Sequence, residues 1–502
     1  MITFAQIGLS FLVFMFGVKI DPERLSSVAS DSLKTTVIQV TFVSILGLSI
    51  SYLLGFNAFE SVVFVLATSL SSTLVGLELL EKEIDLKLAH GRIAESIHLS
   101  QDIIAIFFLM ILGSSVFTVD AVLTSLLHGT SVLLLALIFR AYLFDYIAAL
   151  AAGSRELLML VSITMLISFL GLTEFLHISL AIGSFAAGFA VSKYPHNMEI
   201  LDTTGSLKDF FSAIFFVSLG ALLAVPSMEV VLLSGLMLLI TSVIKPYTVI
   251  ASLVHLGQNK RTAYLTGTSI DQVSELSLII AIQAFLAGMI SDMLFQAITI
   301  TATASMIISS YTTKHGDKIY RIFSPVDPLN DRQEEVSEKL SEHEMDDHII
   351  VLGYDIEGKR IVEKLKEKEV DFVVIENNPE KVTELKERSE NYVFGDAMDD
   401  KTWHEAQYRE AQLIISTVPI EKTSQKILDL ETDADKILRA ENIREAQTLL
   451  DQGAIYVILS KVLSEELLLD HIEGIMENKN YKEELRRKNM LEIRRYIQEK
   501  EG

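Results

Sequence analysis

The sequence predicts a polytopic α-helical membrane domain of about eleven spans, followed by an α/β domain built on a parallel sheet. Residues 1–312 are dominated by Leu, Ile, Val, Ala, Phe and Ser, whereas Glu, Lys, Asp and Arg are abundant in the remainder. The mean hydropathy is +0.40 even though the charged tail lowers it. We therefore predict a membrane domain over 1–312, a charged linker over 313–345, an α/β domain over 346–475 and a charged C-terminal helix over 476–502.

The overall charge and the cysteine content exclude several classes of protein. The formal net charge of −23 comes mainly from the tail and argues against nucleic acid as a partner, because phosphate binding requires clusters of Lys and Arg. The chain contains no cysteine, which excludes disulfides, thiol catalysis and Cys-ligated metals. No basic region precedes the first apolar run, so no cleavable signal peptide is expected. The composition indicates the lipid bilayer as the environment of residues 1–312.

Eleven apolar stretches are candidates for membrane spans, for which roughly 20 residues are needed. The loops that follow the odd-numbered spans up to the ninth contain Lys or Arg, whereas the alternate loops contain none. Because positively charged loops stay in the cytoplasm, we predict a cell-membrane protein with its N-terminus outside and its tail inside. The predicted spans lie near residues 3–18, 34–55, 59–80, 91–114, 120–150, 155–174, 176–193, 208–225, 229–255, 262–287 and 291–312.

Two charged residues lie well inside predicted spans. Asp102 follows Gln101 near the middle of the fourth span, in HLSQDIIAIFF. Lys245 precedes Pro246 in the ninth span, in TSVIKPYTVI, where the proline is expected to bend the helix. A charge inside the bilayer is costly unless it is paired or faces water, so such residues usually have a function. Asp102 is therefore the first candidate for an ion site, and Lys245 is the expected cationic partner of a carboxylate.

Two other spans are interrupted by polar residues. The third contains ATSLSSTLVG, with Ser72 and Thr73, and the tenth contains TSIDQVSELSLII, with Asp271, Gln272 and Glu275. Continuous helical spacing would put Asp271 and Glu275 one turn apart, so their side chains are expected to project from one face. Paired interruptions are typical of inverted repeats with two broken helices whose ends meet at an ion site.

Seven segments in register resemble the monovalent cation:proton antiporter family, in particular its Kef-type potassium-efflux branch. In chain order they are GVKIDPERL, ATSLSSTLVGLELL, SQDIIAIFF, HISLAIGSFAAGFAVS, AIFFVSLGA, TSVIKPY and DQVSELSLII. The resemblance implies that Asp102 alternately binds the transported K⁺ or Na⁺ and a proton, with Gln101 beside it. It also implies that Gln272 and Glu275 are the polar pair of the second broken helix. A single titratable carboxylate at position 102 implies electroneutral exchange.

Three features depart from the pattern of that family. Asp271 stands where the family usually has a small residue, and Val273 and Ser274 replace the glycines that loosen the second broken helix. The family also has about two helices ahead of the one that opens this chain. An additional buried acid is expected to affect ion choice or stoichiometry.

The tail alternates six short strands with amphipathic helices, which predicts a Rossmann-type parallel sheet. The strands are expected in DHIIVLG, DFVVIE, NYVFG, QLIIST, DKILRA and AIYVILS. The first turn carries Gly353, Asp355 and Gly358, and Glu376 ends the second strand where an acid usually holds a ribose hydroxyl. A carboxylate at position 355 is unfavourable for a pyrophosphate, so a smaller ligand than a full dinucleotide is expected.

The tail also resembles the regulator-of-potassium-conductance N-lobe domains (TrkA-N-like), whose GDA segment matches FGDAMD. This resemblance implies that Gly395 and Asp396 lie on the ligand side. It further implies a regulatory nucleotide (AMP or NAD(H)-like) and pairing of two cytoplasmic domains in a homodimer. No cofactor is expected to be required for transport.

One alternative function stays open, and a second is disfavoured. Related gating domains also serve channels, so a ligand-gated potassium efflux system of the channel type is the alternative, although no filter sequence such as TVGYG occurs. A membrane-anchored dehydrogenase would need a substrate domain with a catalytic acid or base, and the tail has no room for one. No enzymatic activity is therefore expected.

Overall fold

A computed structural model gives the fold of the chain in two compact units. The first comprises Met1–Leu86, His90–Leu253 and Tyr264–Ile319, and the second comprises Lys87–Ala89, Val254–Ala263 and Tyr320–Gly502. The structure describes residues 2–19, 30–73, 76, 88–111, 119–151, 154–176, 179–193, 196–222, 225–323, 345–459, 472 and 485.

Helices joined by short non-helical segments make up the described residues of the membrane part, and no strand occurs among them. Two helical stretches widen into a π-turn, one at Phe139–Leu143 and one at Ile240–Ile244. The helices are α1 Ile2–Lys19, α2 Ser30–Leu53, α3 Ala58–Ser69, α4 Ala89–Ile111, α5 Val119–Ile138, α6 Phe144–Ala151, α7 Arg155–Phe175, α8 Leu180–Ala190, α9 His196–Leu222, α10 Met228–Leu239, α11 Lys245–His255, α12 Lys260–Thr268, α13 Glu275–Leu286, α14 Asp292–Lys314 and α15 Gly316–Phe323.

Six helical stretches of the described residues are long and apolar enough to cross a membrane. They are Asp31–Leu53, Ala89–Ile111, Leu123–Ala149, Glu156–Phe175, Met228–His255 and Asp292–Lys314. The other five predicted spans coincide with shorter apolar helices, including α3, α8 and α13. The multi-helix membrane domain is thus confirmed, whereas the count of eleven spans stays a prediction.

Both predicted helix interruptions are present. Helix α3 ends at Ser69, and its C-cap residue Leu70 is extended, with φ −89° and ψ 146°. Helix α12 ends at Thr268 and α13 begins only at Glu275. The expectation that Asp271 and Glu275 share one helical face is therefore wrong, because the helix that would place them one turn apart does not exist between them.

Helices α1 and α8 approach each other closely enough to require glycine at the contact. A Cβ built on Gly188 would lie 2.0 Å from the carbonyl oxygen of Phe14, and one on Gly17 would lie 2.4 Å from the carbonyl oxygen of Phe185. Small residues at such contacts let helix backbones pack directly, which is how helices associate in the absence of a hydrophobic driving force.

The second unit contains a six-stranded parallel sheet with strand order β3-β2-β1-β4-β5-β6. This is the order of a Rossmann-type sheet, and all six predicted strands are confirmed. Its described elements are β1 His348–Leu352, α16 Ile356–Glu367, β2 Phe372–Glu376, α17 Pro379–Glu387, β3 Tyr392–Phe394, α18 Asp400–Glu405, β4 Ala411–Ser416, α19 Glu421–Leu428, β5 Asp435–Ala440, α20 Ile443–Asp451 and β6 Tyr456–Leu459. Most of the predicted linker and of the C-terminal helix over 476–502 lies outside the described residues.

Candidate functional site

Two interrupted segments, the first beginning at Leu70 after α3 and the second comprising residues 269–274 between α12 and α13, are joined by main-chain and side-chain hydrogen bonds. The amide of Ser274 donates to the carbonyl of Leu70 at 3.2 Å. The hydroxyl of Ser71 donates to the carbonyl of Ile270 at 2.9 Å. An interrupted helix leaves main-chain groups without helical partners, and in a membrane those groups must be satisfied by the protein. Here each interrupted segment supplies partners for the other, which fixes where they meet.

Two buried carboxylates lie where the segments meet. Asp102 on α4 is 2% exposed and accepts a hydrogen bond from the hydroxyl of Thr73 at 2.6 Å. Glu275 is the first residue of α13 and accepts a hydrogen bond from the hydroxyl of Ser72. A carboxylate at a helix N-terminus is favoured by the helix dipole, which explains how Glu275 is accommodated at this depth.

A chain of side-chain amides supports the first interrupted segment. Gln101 accepts a hydrogen bond from the amide of Ser71 at 2.8 Å and donates to the side chain of Gln39 at 2.8 Å. Gln39, on α2, donates in turn to the carbonyl of Ser69 at 3.0 Å. The sequence interpretation missed Gln39, although a glutamine inside the apolar second span was a detectable signal.

Lys245 is fully buried and contacts main-chain carbonyls. Its ammonium donates to the carbonyl of Gln272 at 2.7 Å and to that of Leu70 at 3.3 Å. Carbonyls at the end of a helix carry partial negative charge, which an ammonium stabilises. Within the described part of the chain Lys245 forms no ion pair, so the expected direct contact with a carboxylate is absent. The π-turn Ile240–Ile244 directly precedes Lys245 and Pro246. The proline has no N–H to donate to the preceding helical turn. Such π-turns occur frequently at functional sites.

Gln272 and Asp271 are the remaining predicted ion-site residues of the membrane part, and their side chains contact different neighbours. Gln272 donates to the carbonyl of Ser72 at 3.0 Å and therefore belongs to the meeting point of the two segments. The carboxylate of Asp271 instead accepts a hydrogen bond at 2.7 Å from Thr312 on α14. The structure thus groups the predicted polar residues around the meeting point but turns the carboxyl of Asp271 towards a separate helix.

The donor set around Asp102 suits a hard monovalent cation and a proton. Carboxylate, hydroxyl and carbonyl oxygens are the ligands that hard cations prefer, whereas transition metals favour imidazole or thiolate. No group of three or more His, Asp or Glu residues that could hold a metal occurs among the described residues. The Asp102 carboxylate and the Thr73 hydroxyl therefore offer oxygen ligands of the kind that a hard cation prefers.

The second unit contains the predicted glycine turn after β1. Gly353 has φ +93°, a conformation that L side chains rarely adopt, and a Cβ on it would lie 2.7 Å from the hydroxyl of Thr417. A Cβ on Gly358 would lie 2.0 Å from the carbonyl oxygen of Gly353. The turn therefore requires both glycines for the close packing of α16 on β1, as in nucleotide-binding folds of this type. Gly395, after β3, is equally confined, since its Cβ would lie 2.3 Å from the hydroxyl of Thr402.

The two acids predicted on the ligand side already have partners within the second unit. Glu376 is 5% exposed and accepts hydrogen bonds at 2.8 Å from the amides of Tyr354, Asn377 and Asn378. Asp396 is 4% exposed and accepts a hydrogen bond from Arg261, at 2.6 Å, within the same unit. A ligand that uses either carboxylate must compete with these contacts.

The N-terminus of α16 is poorly suited to a pyrophosphate. Asp355 is the N-cap residue of α16, but its side chain makes no capping hydrogen bond to the main chain, and Glu357 lies in the first turn. Asp355 pairs with Lys381 and Glu357 pairs with Arg439. Helix N-termini bind phosphate through their amides and dipole, and two carboxylates there oppose an added anion. The residues present do not fit a pyrophosphate at this position.

Comparison with protein families identifies both parts of the chain. A model of the transmembrane sodium/hydrogen exchanger family matches residues 2–315, which is more than half of the chain, and the TrkA-N domain model matches residues 349–460. The chain belongs to the sodium/hydrogen exchanger family. The resemblance drawn from the sequence motifs is thereby confirmed, and this exchanger-family protein is a multi-pass membrane protein with a cytoplasmic TrkA-N domain.

Relatives of this exchanger-family protein share both parts of the chain. The putative cation/proton antiporter YbaL of Escherichia coli is 25% identical, with 93% of this chain and 88% of YbaL covered. The putative K⁺ efflux antiporter KefB of Alkalimonas amylolytica is 23% identical, with 93% and 73% covered. The glutathione-regulated potassium-efflux system protein KefC of Escherichia coli is 22% identical, with 85% and 69% covered.

Solved structures match each part separately. The TrkA-N domain of the Escherichia coli inner membrane protein YbaL is 26% identical, and the match covers 26% of this chain and 98% of that domain with a TM-score of 0.25. The sodium proton antiporter MjNhaP1 of Methanocaldococcus jannaschii is 14% identical, and the match covers 62% of this chain and 83% of that protein with a TM-score of 0.43.

Proposed function

We propose that the chain exchanges K⁺ or Na⁺ for protons without net charge movement, and that Asp102 carries both ions in turn. The observation that carries the proposal is the burial of Asp102, at 2% exposure, where two interrupted helices are joined to each other. A carboxylate in such a place is costly unless a cation or a proton neutralises it. Either ion neutralises the same single charge, so replacing one by the other moves no net charge.

The surrounding residues have distinct proposed roles. Thr73 donates its hydroxyl hydrogen to Asp102 and presents its oxygen to the cation. Gln101 holds the first interrupted segment in place through the amide of Ser71. Ser72 and Gln272, together with Glu275, keep the two segments together as the site changes the side of the membrane that it faces. Cation and proton movements are coupled because the site changes orientation only when one of the two ions neutralises the buried Asp102.

The test is cation-driven proton movement in liposomes that contain the purified full chain. We expect K⁺ or Na⁺ to drive proton movement in the native protein and neither to do so in Asp102→Asn. The matched control is Asp120→Asn, which neutralises an exposed acid on α5 and is expected to leave exchange unchanged. Cation flux in Asp102→Asn equal to that of the native protein would contradict the proposal. Cation flux in the native protein without counterflow of protons would instead favour the channel-like alternative.

Regulation, assembly and orientation belong to the same proposal. The carboxylates at the N-terminus of α16 oppose a pyrophosphate there, so we propose for the TrkA-N domain a mononucleotide such as AMP, whose phosphate lies away from that position, rather than NAD(H). Titration calorimetry of the full chain with AMP and with NADH tests this, since tighter binding of NADH would contradict it. We further propose a homodimer on the basis of the resemblance, and an external N-terminus on the basis of the loop charges.

A further inference from the structure

Three successive residues of the second interrupted segment are bound by hydroxyls on one face of α14. Thr312 donates to the carboxylate of Asp271 at 2.7 Å, and Ser309 donates to the side-chain oxygen of Gln272 at 3.0 Å. The hydroxyl oxygen of Ser305 accepts the amide hydrogen of the next residue along the segment, at 3.1 Å. Positions 305, 309 and 312 have the spacing of a single helical face. Helix α14 therefore fixes the conformation of this segment and the direction of the Asp271 side chain.

This arrangement leaves the carboxyl of Asp271 only partly satisfied. The residue is 2% exposed, and one carboxyl oxygen is bound by Thr312. The other oxygen, Oδ1, is buried and has no hydrogen-bond partner among the described residues. A buried charged oxygen without a partner is costly, and a proton on that oxygen would remove most of the cost.

Lys245 lies close to Asp271, because its ammonium donates to the main-chain carbonyl of the following residue, Gln272, at 2.7 Å. The two side chains are not in direct contact within the described part of the chain, and the titratable neighbours on α14, Tyr311 and Lys314, are exposed. The ammonium of Lys245 is fully buried and its direct partners are main-chain carbonyls. The carboxylate of Asp271 is thus placed to balance the charge of Lys245. The carboxylate of Asp102 is bound by the hydroxyl of Thr73.

We propose that Asp271 is a second proton-binding carboxyl of the exchanger, separate from Asp102, and that its ionised form balances the charge of Lys245. The inference rests on the proposed exchange at Asp102. The ligand is a proton rather than a metal cation for two reasons. A cation needs several oxygen ligands, whereas Oδ1 of this carboxyl has no hydrogen-bond partner among the described residues and Oδ2 is occupied by the hydroxyl of Thr312. The nearby ammonium also repels a second cation.

The balance of charge has a consequence for transport. When Asp271 is ionised, its negative charge balances the positive charge of Lys245. The negative charge of Asp102 is then available to the transported cation. When Asp271 holds a proton, the ammonium of Lys245 keeps a full positive charge at the carbonyls of Leu70 and Gln272, where the two interrupted segments meet, and this charge opposes the entry of a cation there. Protonation of Asp271 is therefore expected to lower cation affinity at Asp102, so that low pH inhibits exchange through a residue that does not itself carry the cation.

The experiment is infrared difference spectroscopy between high and low pH on the full chain in liposomes, alongside the exchange assay. Asp102→Asn is expected to lose one protonated-carboxyl band and Asp271→Asn another. Because the neutral amide mimics the protonated acid, Asp271→Asn is expected to have a low cation affinity at every pH and a smaller further loss of exchange at low pH. A difference spectrum of Asp271→Asn that matches the native spectrum would overturn the inference and leave the exchange proposal intact. Exchange by Asp102→Asn at the native rate would overturn the exchange proposal, whatever the Asp271 band does.

A pair of threonine variants keeps the test decisive if Asp271→Asn does not accumulate. Thr312→Val removes the hydroxyl that donates to Asp271, and the band assigned to this carboxyl is expected to shift to higher frequency. Thr313→Val is the matched control, because the buried hydroxyl of Thr313 has no hydrogen-bond partner among the described residues. A band that moves in Thr312→Val alone supports the inference. Identical spectra of the two variants would refute it.

Discussion

The ion pair between Arg261 and Asp396 can be perturbed with a predictable cost. The Nη1 atom of Arg261 lies 2.6 Å from Oδ2 of Asp396, and both side chains are 6% exposed. Both residues belong to the second unit, Arg261 through the segment Val254–Ala263. Asp396→Asn keeps the shape of the side chain and removes its charge. The guanidinium, which cannot lose its proton, then stays buried beside a neutral group.

The magnitude follows from the burial of the pair. Removing one partner of a buried ion pair costs about 3–5 kcal/mol, because the remaining charge is uncompensated. For a domain of this size class that corresponds to a fall of about 6–20 °C in melting temperature. The exposed pair between Asp400 and Lys426, with side chains 54% and 22% exposed, supplies the contrast. Breaking an exposed pair costs about 0–1 kcal/mol, so Asp400→Asn is expected to melt close to the native protein.

The chain provides its own reporter for this measurement. It has a single tryptophan, Trp403, which is fully buried in the second unit. The indole N–H donates to the carbonyl of Ala397 at 2.7 Å, directly beside Asp396. Tryptophan fluorescence of the full chain therefore follows the unfolding of this unit at a fixed heating rate.

A double substitution tests whether the cost comes from the uncompensated charge. Arg261→Met combined with Asp396→Leu replaces the pair by apolar side chains and is expected to cost less than the sum of the two single changes. The reasoning would be refuted if Asp396→Asn melted within the range of Asp400→Asn. It would equally be refuted if the single changes added without interaction in the double variant.

Three further predictions concern the membrane part. Gln39→Leu breaks the amide chain behind the interrupted helix and is expected to raise the cation concentration for half-maximal exchange about tenfold, because an unsatisfied buried amide costs about 1–3 kcal/mol; unchanged kinetics in liposomes would disprove it. Gly188→Ala places a methyl group 2.0 Å from a main-chain oxygen of α1 and is expected to lower the thermal stability of the membrane part by about 1–3 kcal/mol, as measured by the loss of helical circular dichroism on heating, whereas Gly235→Ala, which meets open space, is expected to be neutral or slightly stabilising in the same measurement. Since the chain lacks cysteine, an impermeant thiol reagent on intact cells is expected to label Val225→Cys and not Ile443→Cys, and the reverse labelling would contradict the proposed orientation.

Periodicity and charge were sufficient to predict the elements but not the directions of side chains in the interrupted segment. The six strands follow from short β-branched runs between turn signals, and the parallel direction of the sheet follows from the repeated alternation of strand and helix. The interruption of an apolar span predicted that Ser72 and Thr73 lie at an ion site, and Thr73 does contact Asp102 while Ser72 contacts Glu275. The shared face assigned to Asp271 and Glu275 fails because that assignment assumes a continuous helix.

Residues missed by sequence reasoning share one physical property. Gln39, Ser309 and Thr312 act through contacts across helices that are distant in the chain. A glutamine or a hydroxyl in an apolar span signals that a partner exists, because a polar group in a membrane needs one. It does not indicate which helix supplies that partner, since this depends on how the helices pack.

The second interruption forms without the glycines that the family pattern has there, and the structure gives the reason. Neither Val273 nor Ser274 adopts a positive φ, and Ser274 is extended, with φ −73° and ψ 141°. Extended backbone is open to any residue, so glycine is not needed for its conformation.

What an interruption does need is partners for main-chain groups that lose their helical bonds. The amide of Val273 donates to the hydroxyl of Ser305, and the hydroxyl of Ser274 caps α13 by accepting from the amide of Leu276 at 3.1 Å. In this chain, hydroxyl groups thus stabilise the break that glycines permit elsewhere. Ser305, one of these hydroxyl residues, lies on the same polar face of α14 as Thr312, which donates to the carboxyl of Asp271.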